Sequence, residues 1–321
     1  MIQKTNYKST AKASPPKART MKQATKIFLS NAKSKLKEST FSRYSFICDR
    51  HIIPYFEGIA LTDINNDTLN DFILHKLNDD GLNGKPLSPK TIKDITCLLL
   101  QIIRKHCKFD IDINKLSCNQ NEVTIFTAQE YCKLKDYLSI GTDSKKLGII
   151  VTMLTGVRIG EICALKWENI DLDNGIITIN KTIQRINVTD AKEKTKTKII
   201  IDAPKSKASI RKIPIPEILL HKLKKFRSNG NTYLLTNTTD YIEPRIYQRH
   251  FKSYLSESSV KNNKFHTLRH TFATMAISRG ADIKSVSILL GHTDVSFTMK
   301  RYMHPDMEHK REQIEKLAIG F

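Results

Sequence analysis

The chain has 321 residues, enough for two ordinary domains each with its own core. Its 53 Lys and Arg against 32 Asp and Glu give a formal charge of +21, which calls for a polyanionic partner, nucleic acid ahead of an anionic membrane. No run approaches the roughly 18 apolar residues of a spanning helix, and Met1-Ile2-Gln3-Lys4 lacks the apolar core of a signal peptide, so a cytoplasmic protein is expected.

In chain order, residues 1–20 are rich in Lys, Ser, Thr and Pro with little to bury, and read as a basic flexible arm, either idle or in contact with DNA. From Met21 to Ile113 the pattern is helical. Ile27, Phe28 and Leu36 form one run; Phe41, Tyr44, Ile47, Cys48, Ile52 and Ile53 follow at spacings of three and four until Pro54 breaks the register. Further helices are expected over Thr68–Leu77 and Ser88–His106, the latter opened by Ser88 as N-cap and Pro89 at the first helical position. Between them Asp79 to Pro86 is a turn region. Four short helices bearing Lys33, Lys35, Lys37, Arg43, Lys90, Lys93, Arg104 and Lys105 read as a small helical DNA clamp.

Periodicity fails over residues 114–126, a polar connector that sets the domain boundary, and Thr127-Ala128-Gln129-Glu130 is a capping box opening a second domain over 127–321. An apolar helix from Gly148 to Leu154, a turn at Thr155-Gly156 and a helix from Arg158 to Leu165 come next. Ile176–Ile179 and Lys198–Ile201 are strand-like by their β-branched content, and Arg211–Ile215 is expected to close a hairpin after a turn at Ser206 to Ser209. Pro216 to Phe321 is mainly helical. The fold class is therefore mainly α with two domains: a small all-helical one, then a mixed α+β one of mostly helices and a small antiparallel sheet.

The six cysteines, Cys48, Cys97, Cys107, Cys118, Cys132 and Cys163, form no C-x-x-C pair and are expected as reduced, mostly buried thiols. His266 and His270 stand at i, i+4 but lack the Glu of H-E-x-x-H, so no metal site is assigned.

The second domain carries the chemistry. A phosphodiester under attack gathers negative charge on its non-bridging oxygens, and two guanidiniums can hold those oxygens bidentately without losing their own charge. Arg158, in Thr155-Gly156-Val157-Arg158-Ile159-Gly160-Glu161, and Arg269, in His266-Thr267-Leu268-Arg269-His270, fit that role. His266 lies three residues before Arg269 on one helix face and can reach the same phosphate, while His292, after Leu290-Gly291, adds a second imidazole. Glu161 is expected to orient or neutralise Arg158. His250, His304 and His309 read as structural, and His270 as a buried partner behind the site.

These boxes, with Arg301-Tyr302 beyond them, resemble those of the tyrosine recombinases, the phage or mobile-element integrase type, from about Met21 to His309. The resemblance implies a helical core-binding domain over 21–113 and a catalytic domain over 127–321. It makes Tyr302 the nucleophile, forming a 3′-phosphotyrosyl link and freeing a 5′-hydroxyl, so that bond energy is conserved and no metal, ATP or other cofactor is needed. A phenol attacks only when a base takes its proton or cations favour phenolate, a setting that His266 and the two arginines can supply. Lys205 matches the lysine that protonates the leaving oxygen from the tip of a β-hairpin; Lys207 is the alternative, or both grip DNA phosphates.

The implied partners are double-stranded DNA with inverted-repeat sites, three further copies of the chain in a tetramer, and accessory excision or host DNA-bending factors. The amphipathic segment Met307 to Ile319 packs on its own domain or on a neighbouring subunit. Many integrases carry a further arm-binding domain, and 20 residues are too few to form one, which implies simple sites or a domain outside this chain. A catalytically silent DNA-binding protein of the same fold and a type IB topoisomerase are the two rival readings.

Overall fold

The computed structural model describes residues 19–78, 86–104, 113, 116, 123–188, 195–302, 311, 314 and 315. They fall into two compact units, one drawn from residues up to Gln120 with the described part of Asn187–Lys196, the other from Asn121–Ile186 and Thr197 onward.

The first unit is helical because its apolar residues recur at helical spacing and its helix starts are capped. Helix α1 (Met21–Lys33) opens with Thr20, whose hydroxyl accepts from the Gln23 amide while the Gln23 side chain accepts from the Thr20 amide. Helix α2 (Glu38–Ile47) widens into a π turn over Cys48–Ile52 and ends ahead of Pro54. Helices α3 (Asn66–Asn78) and α4 (Pro89–Ile103) complete it, α4 being capped by the Ser88 hydroxyl accepting from the Thr91 amide. Met21, Ile52, Phe56, Phe72, Ile92 and Leu99 lie in its core. Lys35, Arg43, Lys90 and Lys93 are exposed, with Arg43 paired to Asp94 at 2.5 Å.

The second unit is built around helix α6 (Ser144–Thr155), buried on nearly all sides as expected for the middle of a domain. Helix α5 (Ala128–Ser139) starts at the Thr127/Glu130 capping box, and α7 (Ile159–Ala164) follows Gly156. Strands β1 (Ile170–Asp171), β2 (Ile176–Ile179) and β5 (Arg211–Pro214) make an antiparallel sheet in the order β1-β2-β5, with Ile177 opposite Ile213 and Ile179 opposite Arg211. Strands β3 (Thr182–Asn187) and β4 (Thr197–Asp202) pair separately.

This corrects the expected hairpin: Arg211–Pro214 pairs with Ile176–Ile179, not with the strand around Lys198–Ile201. The period-2 burial of β2 and β5 puts Ile177, Ile179 and Ile213 into the core together, whereas β4 has no buried residue with which to compete. Helices α8 (Glu217–Lys225), α9 (Pro244–Glu257), α10 (His266–Ser278), α11 (Ile283–Leu290) and α12 (Val295–Tyr302) follow.

Two of the four described cysteines, Cys48 and Cys163, are buried; Cys97 and Cys132 sit on the solvent sides of α4 and α5, so burial is not the rule expected for them. The basic arm over 1–18, the turn at 79–85, most of the connector, and the tail other than Arg311, Ile314 and Glu315 lie outside the described residues. No helix among the described residues is long and apolar enough to cross a membrane.

Candidate active site

Two helices end at glycines in the left-handed conformation, α6 at Gly156 (φ 66°) and α11 at Gly291 (φ 67°), where a side chain would strain the backbone. A Cβ at Gly156 would lie 2.6 Å from Phe272, and one at Gly291 3.0 Å from the Ala208 carbonyl. The Gly156 and Leu290 carbonyls at these ends form an acceptor pair at the negative poles of the two helices. Arg269, only 1% exposed, donates to both, through Nη1 to Gly156 O at 2.7 Å and through Nη2 to Leu290 O. Burial, then the charge of Arg158, lowers its pKa to about 9, which leaves it a cation at neutral pH. A buried cation held by carbonyls, with no carboxylate in salt-bridge contact among the described residues, is poised for an anion.

Arg158 sits at the N-terminus of α7 and is half-buried. Its Nη1 donates to Glu161 Oε1 at 2.7 Å, and its backbone N–H donates to Glu161 Oε2 at 2.9 Å. Glu161, 2% exposed, is gripped from the other side by Arg211, whose Nη1 and Nη2 donate at 3.1 and 2.9 Å. Burial alone would raise the Glu161 pKa, but the hydrogen bonds and charge of Arg211, joined by Arg158, hold it below the usual carboxylate range.

Arg211 further donates through Nε to the Leu289 carbonyl at 2.6 Å, which ties β5 to the end of α11. In the sequence Arg211 is marked only as the first residue of a strand. The available signal was its place in the alternating burial of β5, where a charge at an inward position demands a partner.

His292 follows Gly291. Arg269 Nη2 lies 3.1 Å from its Nε2, and Thr298 Oγ1 lies 2.7 Å from its Nδ1. Burial, then Arg269 and Arg158, lowers its pKa to about 4, so the ring is neutral. A guanidinium only donates; Nε2 therefore accepts, and Nδ1 carries the hydrogen that is donated to the buried Thr298 hydroxyl. Because a hydroxyl can also donate to Nδ1, Thr298 permits the opposite tautomer, in which Nε2–H faces a phosphate. Thr298, like Arg211, went unread in the sequence.

His266 starts α10 and keeps an exposed edge, yet the protein packed around it, then Arg269 and Arg158, lowers its pKa to about 4. His270, one turn on, stacks edge-on against it at 4.4 Å between ring centres. His270 is buried, as expected of a partner behind the site. The residue it partners is Tyr302, whose hydroxyl lies 2.6 Å from His270 Nδ1. Tyr302 is 6% exposed; burial raises its pKa, opposed by Arg269 and Arg301.

Arg158, His266, Arg269, His292 and Tyr302 are thus brought to one cluster. Lys205 and Lys207 are exposed and lie between β4 and β5, the segments expected to flank them, but β4 and β5 do not pair, so the two lysines are in a connection and not on a hairpin tip. That connection is anchored, since the Ser209 hydroxyl donates to Gly291 O at 3.4 Å. Among the described residues no group of three His, Cys, Asp or Glu could hold a metal ion.

A buried phenol beside a cluster of guanidiniums and imidazoles supplies the groups that tyrosine chemistry on a phosphodiester would use. Comparison narrows this. Residues 120–309 match the phage integrase family and residues 20–77 its N-terminal SAM-like domain. The chain is 33% identical to a tyrosine recombinase XerC-like protein of Caldanaerobacter subterraneus over 62% of its own length and 54% of that protein's, so the match spans about half of that relative. It is 24% identical to the ICEBs1 integrase of Bacillus subtilis over 91% of this chain and 80% of that one.

In fold it resembles the Tn1549 transposon integrase in complex with transposon right end DNA (TM-score 0.69, 20% identity, covering 93% of this chain and 99% of that one). It also resembles a lambda integrase dimer bound to a COC′ core site (TM-score 0.61, 17% identity, covering 88% and 95%). The chain belongs to the phage integrase family, the tyrosine recombinases, enzymes that cleave and rejoin DNA strands in site-specific recombination.

Proposed function

We propose that the chain integrates or excises a phage or mobile element by cutting and rejoining DNA at paired inverted-repeat sites, working in the cytoplasm as a tetramer on DNA with accessory excision or DNA-bending factors. Residues 21–113 form the core-binding domain, 114–126 the linker and 127–321 the catalytic domain. The carrying observation is the Tyr302 hydroxyl, buried against His270 and within the field of Arg269, Arg301 and Arg158.

The scissile phosphate enters between Arg158 and Arg269, whose charge it neutralises, with His266 and His292 hydrogen-bonding its oxygens. Tyr302 Oη bonds to phosphorus, the P–O5′ bond breaks, and Lys205, or Lys207 beside it, gives the leaving oxygen a proton. The 3′-phosphotyrosyl link is then reversed by the 5′-hydroxyl of the partner strand, without cofactor. Lys35, Arg43, Lys90, Lys93 and Lys207 contact the DNA backbone; Arg43 must exchange Asp94 for phosphate to do so.

The test is covalent capture. The protein and a Tyr302→Phe control are incubated with fragmented element and host DNA and denatured, and the attached DNA is sequenced. Tyr302-dependent adducts at one recurring inverted repeat are expected. Adducts scattered over all DNA would instead indicate topoisomerase-like nicking, and none on a strand-nicked substrate a silent binding protein.

A further inference from the structure

We propose that His270 is the base that receives the phenol proton of Tyr302 during attack, an inference that rests on the recombinase reading for its chemistry but not for its geometry. Two side chains hydrogen-bond the phenol oxygen. Arg301 is one, and a guanidinium can only donate, so it occupies a lone pair of Oη. The other is His270, whose Nδ1 lies 2.6 Å away, and in the proposed arrangement it takes the hydroxyl hydrogen. That direction requires Nδ1 to be unprotonated and the ring hydrogen to sit on Nε2.

The ring is fixed for this task, 7% exposed on α10 and braced edge-on by His266. The charged and titratable groups around the pair are His266 and Arg269 from α10, Arg301 from α12, His292 after α11 and Arg158 at the start of α7. Burial, then His266 and the arginines Arg301 and Arg269, lowers the His270 pKa to about 3, which favours the neutral ring that an acceptor needs. A DNA phosphate in the cradle cancels much of that positive field and raises the basicity of His270 when it is required.

As Oη bonds to phosphorus its hydrogen becomes strongly acidic and passes to Nδ1; the P–O5′ bond breaks and the leaving oxygen takes its proton from the lysine. On rejoining, the imidazolium returns the proton to Oη. His266, placed one turn earlier with an exposed edge, is thereby left to the phosphate oxygens.

Two measurements test this. Nitrogen NMR of the imidazoles in the full chain at pH 7, with His270 assigned through a His270→Asn variant, is expected to show an Nε2–H ring whose Nδ1 resonance moves in Tyr302→Phe. An Nδ1 signal indifferent to Tyr302→Phe overturns the proposal without any DNA. The second is single-turnover cleavage of a strand-nicked duplex carrying the captured site. His270→Leu and His270→Asn are both expected to be slower by about a hundredfold or more near pH 7 with DNA affinity kept, the deficit shrinking as pH rises and hydroxide takes over the removal of the phenol proton. Asn retains an acceptor near Nδ1 but cannot take the proton, so parental speed in His270→Asn reduces His270 to positioning and overturns the proposal, as does parental speed in His270→Leu. If the parent itself forms no Tyr302-dependent adduct, the recombinase reading fails, while the NMR result still decides the His270–Tyr302 pair.

Discussion

Arg269 and Lys205 are cations assigned to the same phosphodiester, yet the fold holds them in opposite ways. Arg269 is buried, fixed by the terminal carbonyls of two helices and capped by His292. Lys205 is exposed, in a connection that Ser209, four residues on, ties to Gly291. A group that stabilises charge in the transition state gains from being rigid before substrate arrives, because no reorganisation is then needed. A group that delivers a proton to a departing oxygen gains from arriving with the DNA, since a fixed ammonium beside Arg158 and Arg269 would be repelled. The contrast separates a preorganised cradle from a delivered acid.

The sharpest way to break that contrast is at its centre. Tyr302→Phe should abolish covalent DNA adducts altogether while leaving salt-dependent DNA binding in place, measured by denaturing capture beside a filter-binding titration. Next, Arg269→Gln removes a preorganised donor and should slow strand cleavage by about 10² to 10³, with little change in DNA affinity. Any fall confined to affinity would place Arg269 among ordinary backbone contacts.

The delivered acid is tested by changing the leaving group. Lys205→Ala should cut slowly on normal DNA and recover on a substrate whose bridging 5′ oxygen is replaced by sulfur, which leaves without a proton. Recovery in Lys207→Ala instead would transfer the role.

Smaller effects should show in stability. Arg211→Met leaves Glu161 buried with half of its partners and should cost about 3 to 5 kcal/mol in a denaturant melt. The pair Arg211→Met, Glu161→Gln should recover part of that, which a double-mutant cycle would read. The three neutral imidazoles predict acid lability. His266, His270 and His292 have folded pKa values of about 4, 3 and 4, below the model-peptide value of 6.5. The unfolded chain binds protons that the folded one refuses, so stability is full above pH 6.5 and declines as pH falls toward 4, seen as a falling melting midpoint.

How much of this was legible in the sequence differs residue by residue. His266, Arg269 and His270 stand at i, i+3 and i+4, so one helix face was evident. That face did not tell which imidazole meets Tyr302, because the partner lies on α12, 32 residues away from His270. Arg211 and Thr298 carried no motif, since a salt-bridged arginine and a buried threonine read like any others until their neighbours are known. The strand at Arg211–Pro214 was evident from its residues but its partner was not. β-propensity marks a strand without naming the edge it joins, and the choice of β2 over β4 follows from which isoleucines share a core.

By itself the sequence determined local matters: helices with their capped starts at Thr20, Ser88 and Thr127, the glycine turns at Gly156 and Gly291, the basic charge, and the set of guanidiniums, imidazoles and phenol. These follow from interactions among residues a few positions apart or from composition, which survive without a fold. The tertiary structure alone decided the rest: that Arg269 rests on two helix ends, that Arg211 shares Glu161 with Arg158, that β5 pairs with β2 and not with β4, and that His270 holds the phenol. Each depends on side chains tens to more than a hundred residues apart meeting in a dry interior. There an unpaired charge or hydroxyl is too costly to leave, so packing chooses the partner.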